Sequence, residues 1–183
     1  DAGVERFVFS SSAAIYGRDP KVPKHEDDKP MIVSPYAQTK LDGEVYLKLF
    51  DENSKMKTVS LRYFNVFGER QDPHSQYAAV IPQFIDLACR QEKDLFIYGD
   101  GEQTRDFVYV KDVVLANVYA ATQMDEKFTG THYNVGYGKS ITINQLAKII
   151  IKECNSNSKI GYREERKGDV KHSRANVNKL LST

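Results

Sequence analysis

Apolar residues come in short runs along this chain, and their spacing switches between that of strands and that of helices. Phe7-Val8-Phe9 leads into Ser10-Ser11 without a polar break, the pattern of a strand in a parallel sheet. A polar loop from Asp19 to Pro35 follows, broken by Pro20, Pro23 and Pro30. Ser34 suits a helix N-cap and Pro35 the first helical position, which predicts a helix to about Phe50. Within it Leu41, Val45 and Leu49 recur at four-residue steps. Thr58 to Tyr63 predicts the next strand, Glu69 to Gln76 a polar loop, and Val80 to Arg90 a helix. Asp94 to Tyr98 reads as a short strand, closed by a turn at Gly99-Asp100-Gly101. Asp106 to Val110 alternates like a strand. A helix from Asp112 to Gln123 carries Val113, Ala116, Val118 and Ala120 on mostly apolar faces. Thr131 to Val135 is a further strand. Thr142 caps a helix over Ile143 to Cys154, with Ile149-Ile150-Ile151 expected in the core. Ile160 to Arg163 is a short strand, Lys167-Gly168-Asp169 a turn, and Ala175 to Leu181 the start of a last helix.

Strands alternating with helices argue for an α/β layer architecture, a parallel sheet with a smaller lobe beside it. The first strand is reached after five residues, as though the chain opened inside a domain.

Composition narrows the function classes. The 183 residues, 40% of them hydrophobic, suffice for a domain with a sizeable core. A net charge of +1 gives no electrostatic footprint for nucleic acid or an anionic membrane. No apolar run approaches the ~18–20 residues needed to span a bilayer, and the first residues do not read as a signal peptide. Cys89 and Cys154 lack metal-site spacing and are expected to be reduced thiols in a cytoplasmic protein. His25, His74, His132 and His172 show no ligand spacing either, so they are expected on loops or the surface, and no metal is expected. Glu26-Asp27-Asp28 reads as a solvated loop face.

The candidate chemistry lies in Ser34-Pro35-Tyr36-Ala37-Gln38-Thr39-Lys40. A Tyr four residues before a Lys shares its helical face, and the ammonium stabilises the phenolate. Upstream lies Ser10-Ser11-Ser12-Ala13-Ala14-Ile15-Tyr16-Gly17, whose hydroxyls could share the proton. Together these groups can move a proton on and off a substrate hydroxyl. The glycine-rich turn expected after the first strand of a nucleotide-binding α/β protein is not found, and Gly99-Asp100-Gly101 lacks the third glycine.

These segments, together with Leu61-Arg62-Tyr63-Phe64-Asn65-Val66-Phe67-Gly68, resemble the extended short-chain dehydrogenase/reductases. Among them the chain is most similar to the nucleotide-sugar 4-epimerases acting on UDP-N-acetylglucosamine and UDP-glucose. The resemblance runs the length of the chain but matches only the C-terminal part of that family. It implies that the glycine motif would precede residue 1. It also implies that residues 1–68 are the C-terminal part of an NAD-binding Rossmann-like domain. Residues 69–183 would then be mainly a nucleotide-sugar-binding lobe, with some segments returning to the sheet.

By position, the resemblance makes Ser12 the active-site hydroxyl, Tyr36 the catalytic base and Lys40 the ligand of the nicotinamide ribose. Ser10 and Ser11 would line the NAD cofactor, with Tyr63 at its carboxamide. Asn65, Arg105 and Arg166 would hold the diphosphate, and two guanidinium forks suit its oxygens. Ala79, Val80, Phe96 and Tyr98 would wall the uridine and sugar, and Asp169 would accept from the uridine ribose. Ser173, four residues beyond Asp169, stands where a small side chain admits a 2-acetamido group. Dehydratases of the family carry an acidic pair after the active-site hydroxyl; Ala13-Ala14 here speaks against dehydration. The implied reaction is inversion at C4 of a UDP-hexose or UDP-N-acetylhexosamine through a 4-keto intermediate. A decarboxylase or reductase acting on a nucleotide sugar is the alternative within the family. An inactive fragment lacking the cofactor loop, prone to self-association through its first strand, is the alternative outside enzymes. The family's usual partner is a second copy, through a helix bundle that includes the Tyr36/Lys40 helix.

Overall fold

The computed structural model describes residues 3–75, 79–166 and 168–183. Gln76 and Lys167, at the edges of an expected loop and an expected turn, lie outside the described residues. Strand β1 (Arg6–Ser12) runs parallel to β2 (Lys57–Tyr63), and β2 is parallel to β7 (Thr131–Val135). The register aligns Ser12 with Tyr63 and Tyr63 with Val135, so the three strands end at one level. Helix α1 (Pro35–Asn53) crosses from β1 to β2. Ser34 caps it, accepting from the Ala37 N–H at 3.2 Å, and Pro35 stands at its first turn, as the spacing predicts.

Period-two alternation gives the sheet two unlike faces. Val59 and Leu61 of β2, with Val8 of β1 and Tyr133 and Val135 of β7, form an apolar face. It packs on Val113 and Ala120 of helix α3 (Val110–Thr122). The opposite face is polar: Ser11, Thr58, Ser60 and Arg62 are all buried. This explains why the apolar ridge of α1 does not point inward. The sheet face beneath it needs a charge partner, so Ala37 and Glu44 are buried while Val45 and Leu49 stand half exposed. Arg62 forks onto Glu44, with Nε to Oε1 at 2.8 Å and Nη2 to Oε2 at 2.6 Å. Its Nη1 donates to the Tyr16 hydroxyl at 3.0 Å and to the Glu26 carbonyl at 3.1 Å. Burial works against the guanidinium's charge, but Glu44 and Tyr16 together outweigh it and raise its pKa. Burial pushes the Tyr16 phenol up to about 12.

The expected solvated face at Glu26-Asp27-Asp28 holds for Asp27, which is exposed, and is corrected for Glu26. Glu26 is only 6% exposed, and its Oε1 accepts the Asn134 N–H at 2.9 Å. Its loop folds under the sheet because that loop supplies acceptors to β2 and β7. His132 is likewise no loop histidine. It sits in β7 with Nε2 3.0 Å from the Glu26 carbonyl, and burial, then the Arg62 charge, hold its pKa below the ordinary value.

A second apolar cluster joins helix α2 (Val80–Ile85), the π-helical turn Asp86–Arg90, β4 (Leu95–Tyr98) and α4 (Ile143–Glu153). β4 pairs in parallel with β9 (Ile160–Arg163). Thr142 caps α4 in a reciprocal capping box with Gln145. Of the isoleucine run only Ile150 is buried; Ile151 packs at the margin and Ile149 is half exposed. Two further short pairs form, β3 (Asn65–Phe67) with β6 (Phe107–Tyr109) in parallel and β5 (Thr104–Arg105) with β8 (Ile141–Thr142) antiparallel. The last helix, α5, covers only Asn178–Leu181. The residues before it are extended because Arg174 and Asn176 pair with Lys24, and the Ala175 N–H donates to Asp106.

The two cysteines overturn the expectation of reduced thiols. Cys89 and Cys154 form a disulfide across 65 residues, with Cα atoms 5.1 Å apart. It ties the turn after α2 to the end of α4, two ends that packing had already brought together. Cys89→Ser is expected to lower the unfolding free energy by about 2–4 kcal/mol, the usual worth of closing such a loop. Urea unfolding with and without reductant checks this; superimposable curves would mean the link adds nothing.

Candidate active site

The carboxyl ends of parallel strands are where α/β sheets bind ligands, and β1 and β2 deliver their chemistry there. Ser10 Oγ lies 3.1 Å from the Tyr63 hydroxyl. The Lys40 ammonium donates to the Ser10 carbonyl at 2.8 Å and lies 5.6 Å from the centre of the Tyr36 ring. Tyr36 and Lys40 therefore share one face of α1, as their spacing requires. Tyr36 is 56% exposed, so its phenol is open to an incoming ligand. Ser12 caps the 3₁₀ turn Ala13–Tyr16, and its Oγ accepts the Ala14 N–H at 3.1 Å. That bond uses a lone pair and leaves the hydroxyl proton available. Ser11 is not brought to this group. Its side chain is buried on the α1 face and donates to Glu44 Oε1 at 2.5 Å.

Two cavities meet beyond these strand ends. The smaller, about 290 Å³, is lined by Ser12, Ala13, Ala14, Tyr63, Asn65 and Ser173, with Ser34 from the α1 cap. The larger, about 420 Å³, is lined by Asn65, Ala79, Val80, Phe96, Tyr98 and Arg166. Arg105 and Asp169 line both, as does Asn65. Arg105 Nη2 holds Asp169 Oδ1 at 2.6 Å, a pairing that single-residue roles did not anticipate. Among the described lining residues of the smaller cavity Asp169 is the one carboxylate.

Arg105 is held by the Thr104 carbonyl at 2.9 Å as well as by Asp169, and its chain neighbour Asp106 ties the backbone around it. Asp106, fully buried, accepts the N–H groups of Tyr137 at 2.8 Å, Gly138 at 3.0 Å and Ala175 at 2.9 Å. Burial raises the Asp106 pKa despite these three bonds. In the larger cavity the Arg166 guanidinium lies over the Tyr98 ring at 4.0 Å, and Arg163 lies over Phe96 at 4.0 Å. Hydrogen bonds from Arg166, then Arg163, hold the Tyr98 phenol below its ordinary pKa. Arg163 was not singled out from sequence, nor was Gly161, which faces Phe96 in the β4–β9 register. A Cβ at Gly161 would sit 2.8 Å from the Phe96 ring, so glycine there makes the ring's seat. Among the described residues no cluster of His, Cys, Asp and Glu could hold a metal ion, and no helix is long and apolar enough to cross a membrane.

The sequence profile of the NAD dependent epimerase/dehydratase family matches residues 1–136. The chain belongs to that family. It is 39% identical, over 91% of its length, to a putative UDP-glucose 4-epimerase of Methanocaldococcus jannaschii. That alignment covers 53% of the relative. Among solved structures it resembles the UDP-N-acetylglucosamine 4-epimerase of Methanobrevibacter ruminantium, solved with UDP-N-acetylmuramic acid. The two are 46% identical with a TM-score of 0.90, over 97% of this chain and 56% of that one. It also resembles the UDP-glucose 4-epimerase of Thermotoga maritima, solved with UDP-glucose, at 38% identity and a TM-score of 0.91. That match covers 98% of this chain and 57% of that one. The chain thus spans about half the length of the family members it matches.

Proposed function

We propose that this chain supplies the catalytic and nucleotide-sugar-binding residues of an NAD-dependent UDP-sugar 4-epimerase. One observation supports the reading most: Asn65, Arg105 and Asp169 border both cavities. A diphosphate gripped at that junction extends its nucleoside toward Phe96 and Tyr98 and its sugar toward Ser12. Arg105 and Arg166 offer the planar forks that phosphate oxygens favour. Ala13 and Ala14 leave no acid beside Ser12, which favours epimerisation over water elimination.

Lys40 fits the nicotinamide end of NAD, because its ammonium keeps N–H groups beyond its bond to the Ser10 carbonyl and these match ribose oxygens. Ser10 and Tyr63 hold the sheet edge beside it, the Ser10 hydroxyl donating to Tyr63 and Tyr63 to Asn117 Oδ1. When bound, NAD supplies the hydride acceptor and donor for C4. The chain's own residues handle the proton. The Lys40 ammonium places positive charge beside the Tyr36 phenolate, which accepts the proton of the 4-hydroxyl. Ser12, its proton free, bridges that hydroxyl to the base. Arg105 and Arg166 anchor the diphosphate while the sugar turns about its phosphate linkage. The half-exposed apolar face of α1, Val45, Tyr46, Leu49 and Phe50, supports pairing with a second copy.

The binding half of this reading is tested by calorimetry with UDP. Arg105→Met is expected to weaken UDP binding on the order of tenfold or more, the worth of a charged hydrogen bond. Unchanged affinity would remove Arg105 from the diphosphate site. Product analysis after incubation with UDP-galactose or UDP-N-acetylglucosamine and NAD tests the reaction itself.

A further inference from the structure

The segment carrying Asp169 is latched to β5 on either side of one residue. The Thr104 N–H donates to the Lys171 carbonyl at 2.9 Å, and the Ser173 N–H donates to the Thr104 carbonyl at 3.1 Å. Thr104 and His172 therefore face each other as a parallel bridge. Arg105 adds a bond from Nη1 to the Lys171 carbonyl at 3.3 Å, beside its pair with Asp169. His172 is exposed, as expected for a surface histidine, yet its ring is held. Its Nδ1 lies 3.1 Å from Thr104 Oγ1. The same residue lines the smaller cavity together with Ser12, Tyr63 and Asn65. No described residue hydrogen-bonds Nε2.

An imidazole held at one nitrogen presents the other in a set direction. Whichever of Thr104 Oγ1 and Nδ1 donates in that contact, Nε2 is left to hydrogen-bond a hydroxyl, which can both donate and accept. The ligand atoms on offer at the Ser12 end of the cleft are oxygens of a hexose and its substituents. We propose that His172 is a substrate-binding residue for the sugar, hydrogen-bonding a hydroxyl of the hexose through Nε2, with Thr104 as the residue that positions it. The inference rests on reading the cleft as a UDP-sugar site. It places His172 in sugar binding, apart from the proton chemistry of Tyr36.

Calorimetry with two ligands, UDP and UDP-N-acetylglucosamine, separates the possibilities. His172→Ala is expected to bind the UDP-sugar about five- to tenfold more weakly, the usual worth of one hydrogen bond, and to bind UDP as wild type does. Thr104→Val, which frees the ring, shifts UDP-sugar affinity in the same direction by less. His172→Gln, which keeps an N–H donor, recovers part of the loss. If His172 only latches the segment, its removal disturbs Arg105 and Asp169 and weakens both ligands alike; that result overturns the proposal. Unchanged affinity for both ligands overturns it as well. A wild-type protein that binds no UDP overturns the reading of the cleft and this inference with it, whereas the other two failures leave that reading intact.

Discussion

Replacing Tyr36 by Phe is expected to lower the rate of C4 inversion of a UDP-sugar by about 10²–10⁴, the range over which a positioned general base acts. The substitution removes one oxygen and keeps the ring beside Lys40. The phenol is open to ligand and makes no hydrogen bond to another described residue, so its loss should leave the fold intact. Tyr36 lines neither cavity, so UDP affinity should hold. The signature is a fall in kcat with little change in UDP binding, read by NMR of UDP-galactose turnover with NAD supplied. A Phe variant with full turnover would take Tyr36 out of the base role. Equal losses in binding and rate would place the tyrosine in nucleotide recognition instead.

Glu44→Leu should produce the largest loss of stability. It leaves the Arg62 guanidinium buried, with only the Tyr16 hydroxyl and the Glu26 carbonyl for partners. Stranding one member of a buried ion pair costs about 3–5 kcal/mol. Urea unfolding should show that loss. The double variant Glu44→Leu with Arg62→Met should recover much of it, because two apolar groups of similar length remove the uncompensated charge. A single variant as stable as wild type would mean water reaches Arg62 in place of the carboxylate. The double variant also probes the site. Ser11 would lose its acceptor while Ser10 and Ser12 keep their partners, so UDP binding should survive.

The features legible along the chain were those written within single elements. Tyr36 and Lys40 meet because four helical residues make about one turn. Ser34 caps α1 and Thr142 caps α4 because capping depends on residues at most three positions away. Strand β1 was visible as a short apolar run, and β2 and β7 were placed to within one residue at either end. The strands that pair outside the three-stranded sheet were harder to read. They are two to four residues long, too short for periodicity to fix their ends.

What the sequence determined by itself, then, is the α/β layering, the helix caps and the paired tyrosine and lysine. Only the tertiary structure decided which distant groups share an environment. It joined Cys89 to Cys154, buried Glu26 beneath β7, turned the polar face of the sheet toward Glu44, and set Arg105 on Asp169 and Thr104 on His172. The reason is one of range. Spacing along the chain encodes contacts one turn or one pleat away, whereas these contacts depend on strand register and crossover, which appear only once the elements pack.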